Sequence, residues 1–404
     1  MASEIDYGMM GVDWEERVDF VRLREMRLKK ARAAIADSDL DFMISLRLED
    51  VRYLTAFRHH LGPVVALGWA ATVLAKDGET VLYVMDDDYC RARMPWLEHS
   101  QIEGRPNVRE TAGVTEWAQR LKRRWPDIAS ARIGIDVMTP TIYDGLRAEL
   151  SDAEIVDGYP TLLKAKMIKT QDEITCLKIA TSITEAGYQA ALDFLKPGVR
   201  ECEVLATAWQ KMTALGSEWT QCSNIVASGP YTAPYRRLTS DRIIRRGDLV
   251  IMDIGGCYNG YWGDMTRTWV CGDVSPTDRQ IELHQKAYDA LFNACATAKP
   301  GNTNVDVFNA AGDAVLGNSL GHGAGLSPWE PPYFSAQSAA HPVDLQAGMV
   351  MNLEPYAGEP GIGGFRVENN LVVTADGPDI YTTFPFEKRL VDKVHPLDKT
   401  TART

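Results

Sequence analysis

Apolar positions recur along this chain in two rhythms, and the changes between them outline its elements. Over 15–36, apolar residues return at helical spacing among charged ones, as in Val21-Arg22-Leu23-Arg24-Glu25-Met26-Arg27, which predicts a charged amphipathic helix. Aliphatic runs follow at Phe42-Met43-Ile44-Ser45-Leu46, at 64–74 and at 80–85, and each predicts a strand. A helix is expected around 115–124, and a further strand at Ile133-Gly134-Ile135-Asp136. Alternation of this kind predicts an α/β domain of about 150 residues with both sheet faces covered.

The pattern changes between 157 and 170, which places the expected domains at 1–160 and 161–404. Thr170 with Glu173 three residues on fits a capping box that opens a helix. Beyond it the chain echoes itself. Lys196-Pro197-Gly198-Val199-Arg200 recurs as Lys299-Pro300-Gly301-Asn302-Thr303, 103 residues on (299 − 196). Gly247-Asp248-Leu249-Val250-Ile251-Met252-Asp253 recurs as Gly348-Met349-Val350-Met351-Asn352-Leu353-Glu354, 101 residues on (348 − 247). In both copies a glycine turn feeds a strand, and a carboxylate stands six residues after the glycine. Two similar offsets predict a duplicated α-plus-strand unit about a pseudo-twofold axis.

Composition narrows the classes. A chain of 404 residues is long for one core. Its 45% hydrophobic and 24% charged residues are ordinary for a globular protein. A net charge of −12 argues against nucleic acid or an anionic membrane as partner, because both need a basic face. Met1-Ala2-Ser3-Glu4-Ile5-Asp6 shows neither a basic nor an apolar leader region. The uncharged stretches 61–75 and 219–235 are too short or too polar to span a bilayer, so a cytoplasmic location is expected. Seven cysteines without a CxxC read as reduced, mostly buried thiols; Cys257 and Cys271 read as packing.

Five candidate ligands then stand out: Asp253, Asp264, His322, Glu354 and Glu368. Asp253 ends an apolar run, and Asp264 follows eleven residues on (264 − 253). His322 lies in Gly321-His322-Gly323, Glu354 in Leu353-Glu354-Pro355, and Glu368 in Arg366-Val367-Glu368. The runs around Asp264 and Glu368 are expected to be strands, rigid mounts for ligands. Four carboxylates and one imidazole suit two hard or borderline divalent ions, with Mn, Fe, Co and Zn all compatible. Without metal the carboxylates would repel, and some would stay protonated. Two ions about 3.5–4 Å apart would share a water, lower its pKa from about 16 toward neutrality and polarise a carbonyl. Hydrolysis by such a bridging hydroxide needs no Ser or Cys nucleophile.

In this order the segments resemble the pita-bread metallopeptidases, the methionine aminopeptidase/creatinase superfamily, and within it the creatinase, prolidase and Xaa-Pro aminopeptidase branch. Asp50-Val51-Arg52-Tyr53-Leu54-Thr55-Ala56-Phe57 is similar to that branch's Tyr-Leu-Thr-Gly-Phe turn, with Ala56 in place of Gly. The resemblance implies an α/β creatinase-like N-terminal domain, an α+β pita-bread catalytic domain and a homodimer. It implies that Asp253, Asp264, His322, Glu354 and Glu368 bind two metal ions, with His322 and Glu354 catalytic and Glu354 the proton shuttle. Thr266 and Arg366 would orient the carboxylates. The implied reaction is hydrolysis of a peptide or amide C–N bond in a dipeptide or other small substrate.

Two departures bear on the substrate. Arg236 and Arg237 stand where the family's peptidases carry substrate-binding histidines, and Trp329-Glu330-Pro331-Pro332 occupies the place of His-Glu-x-Pro. Guanidinium suits a carboxylate, and Tyr235, Trp262 and Trp329 offer an aromatic wall, so these five are candidate substrate-binding residues. His59 and His60 fit either a solvated loop or a contact with a partner's site. An alternative is the metal-dependent lyase branch that cleaves dimethylsulfoniopropionate. The segment from Gly229 to Tyr235 and Tyr356-Ala357-Gly358 are similar to it, whereas Asp253-Ile254-Gly255 lacks its Asp-x-Asp, and Ser327-Pro328 stands where it has an acid. A non-catalytic binding protein or a metal-free creatinase-like enzyme fits less well, because all five ligand types are retained.

Overall fold

The computed structural model describes residues 18–58, 68–219 and 225–401. His59, His60 and the start of the strand expected at 64–74 lie outside these residues, as does the start of the first helix. Chain contacts divide the protein into two units, Met1–Lys166 and Met167–Thr404.

In the first unit, strands β1 (Phe42–Ser45), β2 (Ala70–Ala75), β3 (Thr80–Val84), β4 (Ile102–Gly104), β5 (Arg132–Ile135) and β6 (Glu154–Asp157) form one sheet. Its order is β4-β3-β2-β1-β5-β6, antiparallel at β1-β2-β3 and parallel toward both edges. The helices are α1 (Phe20–Ala36), α2 (Leu48–Thr55), α3 (Asp87–Arg93), α4 (Thr111–Arg124), α5 (Pro140–Arg147) and α6 (Tyr159–Met167). Alternate residues of β3 serve opposite faces, the period-two signature of a sheet covered on both sides. Val81 and Tyr83 pack with Trp117 and Leu121 of α4, whereas Leu82 and Val84 pack with Val51 of α2 and Cys90 of α3. Helix α1 begins at Phe20 because Asp19 caps it, its carboxylate accepting the Arg22 N–H at 2.9 Å. Helix α2 ends on Ala56 at φ 60°, the left-handed conformation that favours glycine, where the related motif has Gly.

The second unit opens with α7 (Gln171–Phe194), and its capping box is formed: Thr170 Oγ1 accepts the Glu173 N–H at 3.3 Å, and Glu173 accepts the Thr170 N–H at 2.8 Å. Then come α8 (Glu201–Ala214), β7 (Ile225–Ser228), β8 (Leu249–Ile254), β9 (Cys257–Tyr258), β10 (Tyr261–Trp262) and β11 (Met265–Val270). The remaining elements are α9 (Asp278–Thr297), α10 (Asn304–Ala310), β12 (Ser319–Gly323), β13 (Glu330–Ser335), β14 (Val350–Leu353), β15 (Tyr356–Glu359), β16 (Gly363–Arg366), β17 (Asn369–Thr374) and β18 (Gly377–Ile380). Strands β11-β8-β7 and β13-β12-β14-β17-β18 form two antiparallel sheets; β9/β10 and β15/β16 are hairpins.

The sequence echo has a backbone counterpart. Gly198 and Gly301 adopt φ 96° and 94°, and Gly247 and Gly348 adopt 84° and 92°. Arg200 bridges Ile243 as Thr303 bridges Asp344. Strands β8 and β14 each start two residues after their glycine. Asp264 and Glu368 lie not inside strands but in the gaps β10/β11 and β16/β17. In each gap the chain leaves its hairpin partner, β9 or β15, and joins a different neighbour, β8 or β14. The period-two reading missed this because both flanks of each gap are extended.

Candidate metal centre

The partner switches bring carboxylates from both halves together. One oxygen each of Asp253, Asp264 and Glu368 lies within 4.8 Å of the others, and all three residues are buried. Asp253 projects from β8, whose register pairs it with Thr266 on β11. Thr266 stitches the halves: its carbonyl accepts the Glu368 N–H at 2.9 Å, and its hydroxyl donates to Glu368 Oε2 at 2.8 Å. Glu368 Oε1 is buried and has no hydrogen-bond partner among the described residues. Burial, followed by the charges of Asp264, Glu354 and Asp253, pushes the Glu368 pKa well above the usual carboxylate range. A divalent cation would remove both costs, so this donor set fits one.

His322 and Glu354 border the trio, with His322 Nε2 3.9 Å from Glu354 Oε1. His322 Nδ1 lies 3.0 Å from the Gly323 carbonyl, which favours the tautomer that donates from Nδ1 and leaves a lone pair on Nε2. Burial lowers the His322 pKa against the opposing charge of Glu354. Arg366 is 3% exposed and donates to Asp253 Oδ2 at 2.8 Å and to Glu354 Oε2. Burial acts against its cation, but the carboxylates of Glu354 and Asp253 outweigh it and raise the pKa.

A cavity of about 330 Å³ opens on these groups, within the range for a small-molecule site. Asp253, Asp264, His322, Glu354 and Arg366 line it, together with Arg236 and Trp329, whereas the buried Glu368 is not a lining residue. The other proposed substrate contacts are placed elsewhere. Tyr235 is buried, stacks on Tyr356 at 6.1 Å and donates its hydroxyl to Asp253 Oδ2 at 3.0 Å. Burial, then the Asp253 charge, raises its pKa, so it remains a donor. Trp262 is buried and donates to the Leu326 carbonyl at 3.1 Å. Arg237 points to Glu201, donating at 2.6 and 2.7 Å. In an irregular segment, adjacent side chains take different directions, which adjacency in sequence does not reveal.

Tyr333, Ser319 and Ser335 also line the cavity and were missed from sequence. Tyr333 and Ser335 lie in β13, which pairs with β12, the strand of His322; the alternation of β13 was their available signal. Lys169 and Glu330 form a buried ion pair at 2.8 Å beside Trp329, which is 50% exposed. Glu330 also accepts the Ser327 N–H at 3.1 Å, pinning the loop that carries the indole.

An α/β unit followed by a duplicated unit whose halves converge on buried carboxylates defines a metal-dependent hydrolase of the two-domain peptidase type. Residues 175–375 match metallopeptidase family M24, and residues 27–168 match the creatinase/prolidase N-terminal domain. The chain is 30% identical to an uncharacterized peptidase, YqhT, of Bacillus subtilis, over 90% of this chain and 99% of that one. It is 36% identical to an Xaa-Pro dipeptidase of Pyrococcus furiosus, over 52% of this chain and 62% of that one. Among solved structures, an Xaa-Pro dipeptidase from Bacillus anthracis superposes with a TM-score of 0.76 at 25% identity, covering 90% of this chain and 99% of that one. This chain belongs to metallopeptidase family M24 and carries the creatinase/prolidase N-terminal domain. The two Xaa-Pro dipeptidases give the lyase alternative no support.

Proposed function

We propose that this protein is a dinuclear divalent-metal peptidase that cleaves the C–N bond of small, carboxylate-bearing substrates of the dipeptide kind. The observation that carries this reading is the buried convergence of Asp253, Asp264 and Glu368, with Asp253, Asp264, His322 and Glu354 lining one cavity. Those five residues would hold the ions, with manganese, iron, cobalt and zinc all compatible with the donors. Bound divalent ions supply an activated water and a polarised carbonyl. Glu354 then moves the proton from the attacking water to the leaving amine, and Arg366 holds Glu354 in place for that transfer. His322, whose Nδ1 faces the Gly323 carbonyl and whose Nε2 lone pair is turned from it, would serve as a ligand to an ion. Tyr235 and Thr266 orient Asp253 and Glu368. The reading includes a cytoplasmic homodimer, whose mass light scattering checks.

Metal content and hydrolysis of an Xaa-Pro dipeptide panel, before and after chelation and Mn²⁺ readdition, test the proposal. Two metals per chain, chelator-sensitive cleavage and loss of both in Asp264→Ala are expected. Cleavage that survives chelation and Asp264→Ala would sink it.

A further inference from the structure

We infer that Arg236 determines the specificity of this cavity by reading a free carboxylate on the substrate. The identity of the reaction rests on the peptidase reading above, but the recognition does not. Nearby guanidiniums are already matched: Arg366 by Asp253 at 2.8 Å, Arg237 by Glu201 at 2.6 Å and Arg242 by Asp248 at 2.6 Å. Arg236 lines the cavity, is exposed and makes no ion pair among the described residues. Among the described lining residues, it and Arg366 are the permanent cations, and Arg366 is engaged by two carboxylates of the centre.

The backbone shows how Arg236 is set there. Its φ is 131°, a left-handed conformation that non-glycine residues rarely adopt. Such strain persists where the surroundings over-determine it. Here both neighbours are anchored, Tyr235 to Asp253 at 3.0 Å and Arg237 to Glu201 at 2.6 and 2.7 Å. With 235 and 237 held, the residue between them is presented to the cavity. A planar guanidinium matches a carboxylate with two parallel hydrogen bonds and discriminates against a neutral amide of the same shape. Substrates with a free carboxylate, such as dipeptides and N-acyl amino acids, would therefore be taken in preference to amide-capped ones. Trp329 and Tyr333 add aromatic surface to the same cavity.

The test is calorimetric titration of the Mn²⁺-loaded protein with N-acetylproline and with N-acetylprolinamide, which differ in charge but little in shape. Wild type is expected to bind the acid at least about tenfold more tightly. Arg236→Met should abolish that preference, and Arg236→Lys should retain part of it. Arg236→Gly should also abolish it without lowering the melting temperature, because glycine relieves the strain. An unchanged acid-to-amide ratio in Arg236→Met would show that the metal centre alone reads the carboxylate and would overturn the inference. So would wild type that binds neither ligand or both equally. Dipeptide hydrolysis is assayed in parallel. Cleavage with an Arg236-independent ratio refutes this inference alone, whereas Arg236-dependent binding without cleavage refutes the peptidase reading alone.

Discussion

Replacing Thr266 with valine isolates one hydroxyl at the centre. Thr266 is fully buried, and Val has nearly its shape, so the change removes a donor without opening a cavity. The hydroxyl donates to Glu368 Oε2 at 2.8 Å and thereby leaves Oε1 as the oxygen available to an ion. A hydrogen bond to a charged group contributes about 1.5–3 kcal/mol. If that is what aims Glu368, its loss weakens metal binding by about 10–100-fold, the range typical for groups that orient ligands. The strand connection survives, because the Glu368 N–H still reaches the Thr266 carbonyl at 2.9 Å. Competition with a fluorescent chelator for Mn²⁺ measures the change, and Thr266→Ser, which keeps the hydroxyl, should restore most of the affinity. A valine variant that binds Mn²⁺ as tightly as wild type, with normal turnover, would refute the assigned role.

Two further predictions concern stability. Glu201 is fully buried and accepts from the Ser228 N–H at 2.9 Å, Ser228 Oγ at 2.7 Å and Ser240 Oγ at 2.8 Å as well as from Arg237. Arg237→Met leaves that charge without its cation, at a cost of about 2–4 kcal/mol by urea unfolding, with KM changed less than twofold; a tenfold rise in KM at normal stability would return Arg237 to the substrate. His284 is fully buried, and burial lowers its pKa to about 3 from 6.5. The unfolded chain therefore binds the extra proton first, and stability is lost as pH falls from about 6.5 toward 3, by up to about 1.4 kcal/mol per pH unit from this residue. His284→Phe should flatten the loss between pH 6 and pH 5, and equal slopes for both proteins would disprove the assignment.

Local signals carried much of this architecture. The Thr170–Glu173 cap opens α7, the β3 alternation divides cleanly between two core clusters, and the paired glycines share their left-handed backbones. Each depends on neighbours within a few residues, where side-chain chemistry and backbone conformation are directly coupled. The candidate centre was legible only as residue types in order, because metal chemistry restricts which side chains could serve as ligands. Its assembly was not. Asp264 and Glu368 meet because two strands change partners at corresponding points, and Thr266 reaches Glu368 across 102 positions. Arg236 and Arg237 are adjacent and chemically identical, yet one lines the cavity and the other is taken by Glu201, 36 positions away. From sequence alone this chain declares many of its elements, its duplication and the residue types of a candidate metal centre. Which side chains face the cavity, and which hold those that do, is decided only in the folded protein, because direction depends on partners brought close by the fold rather than by the chain.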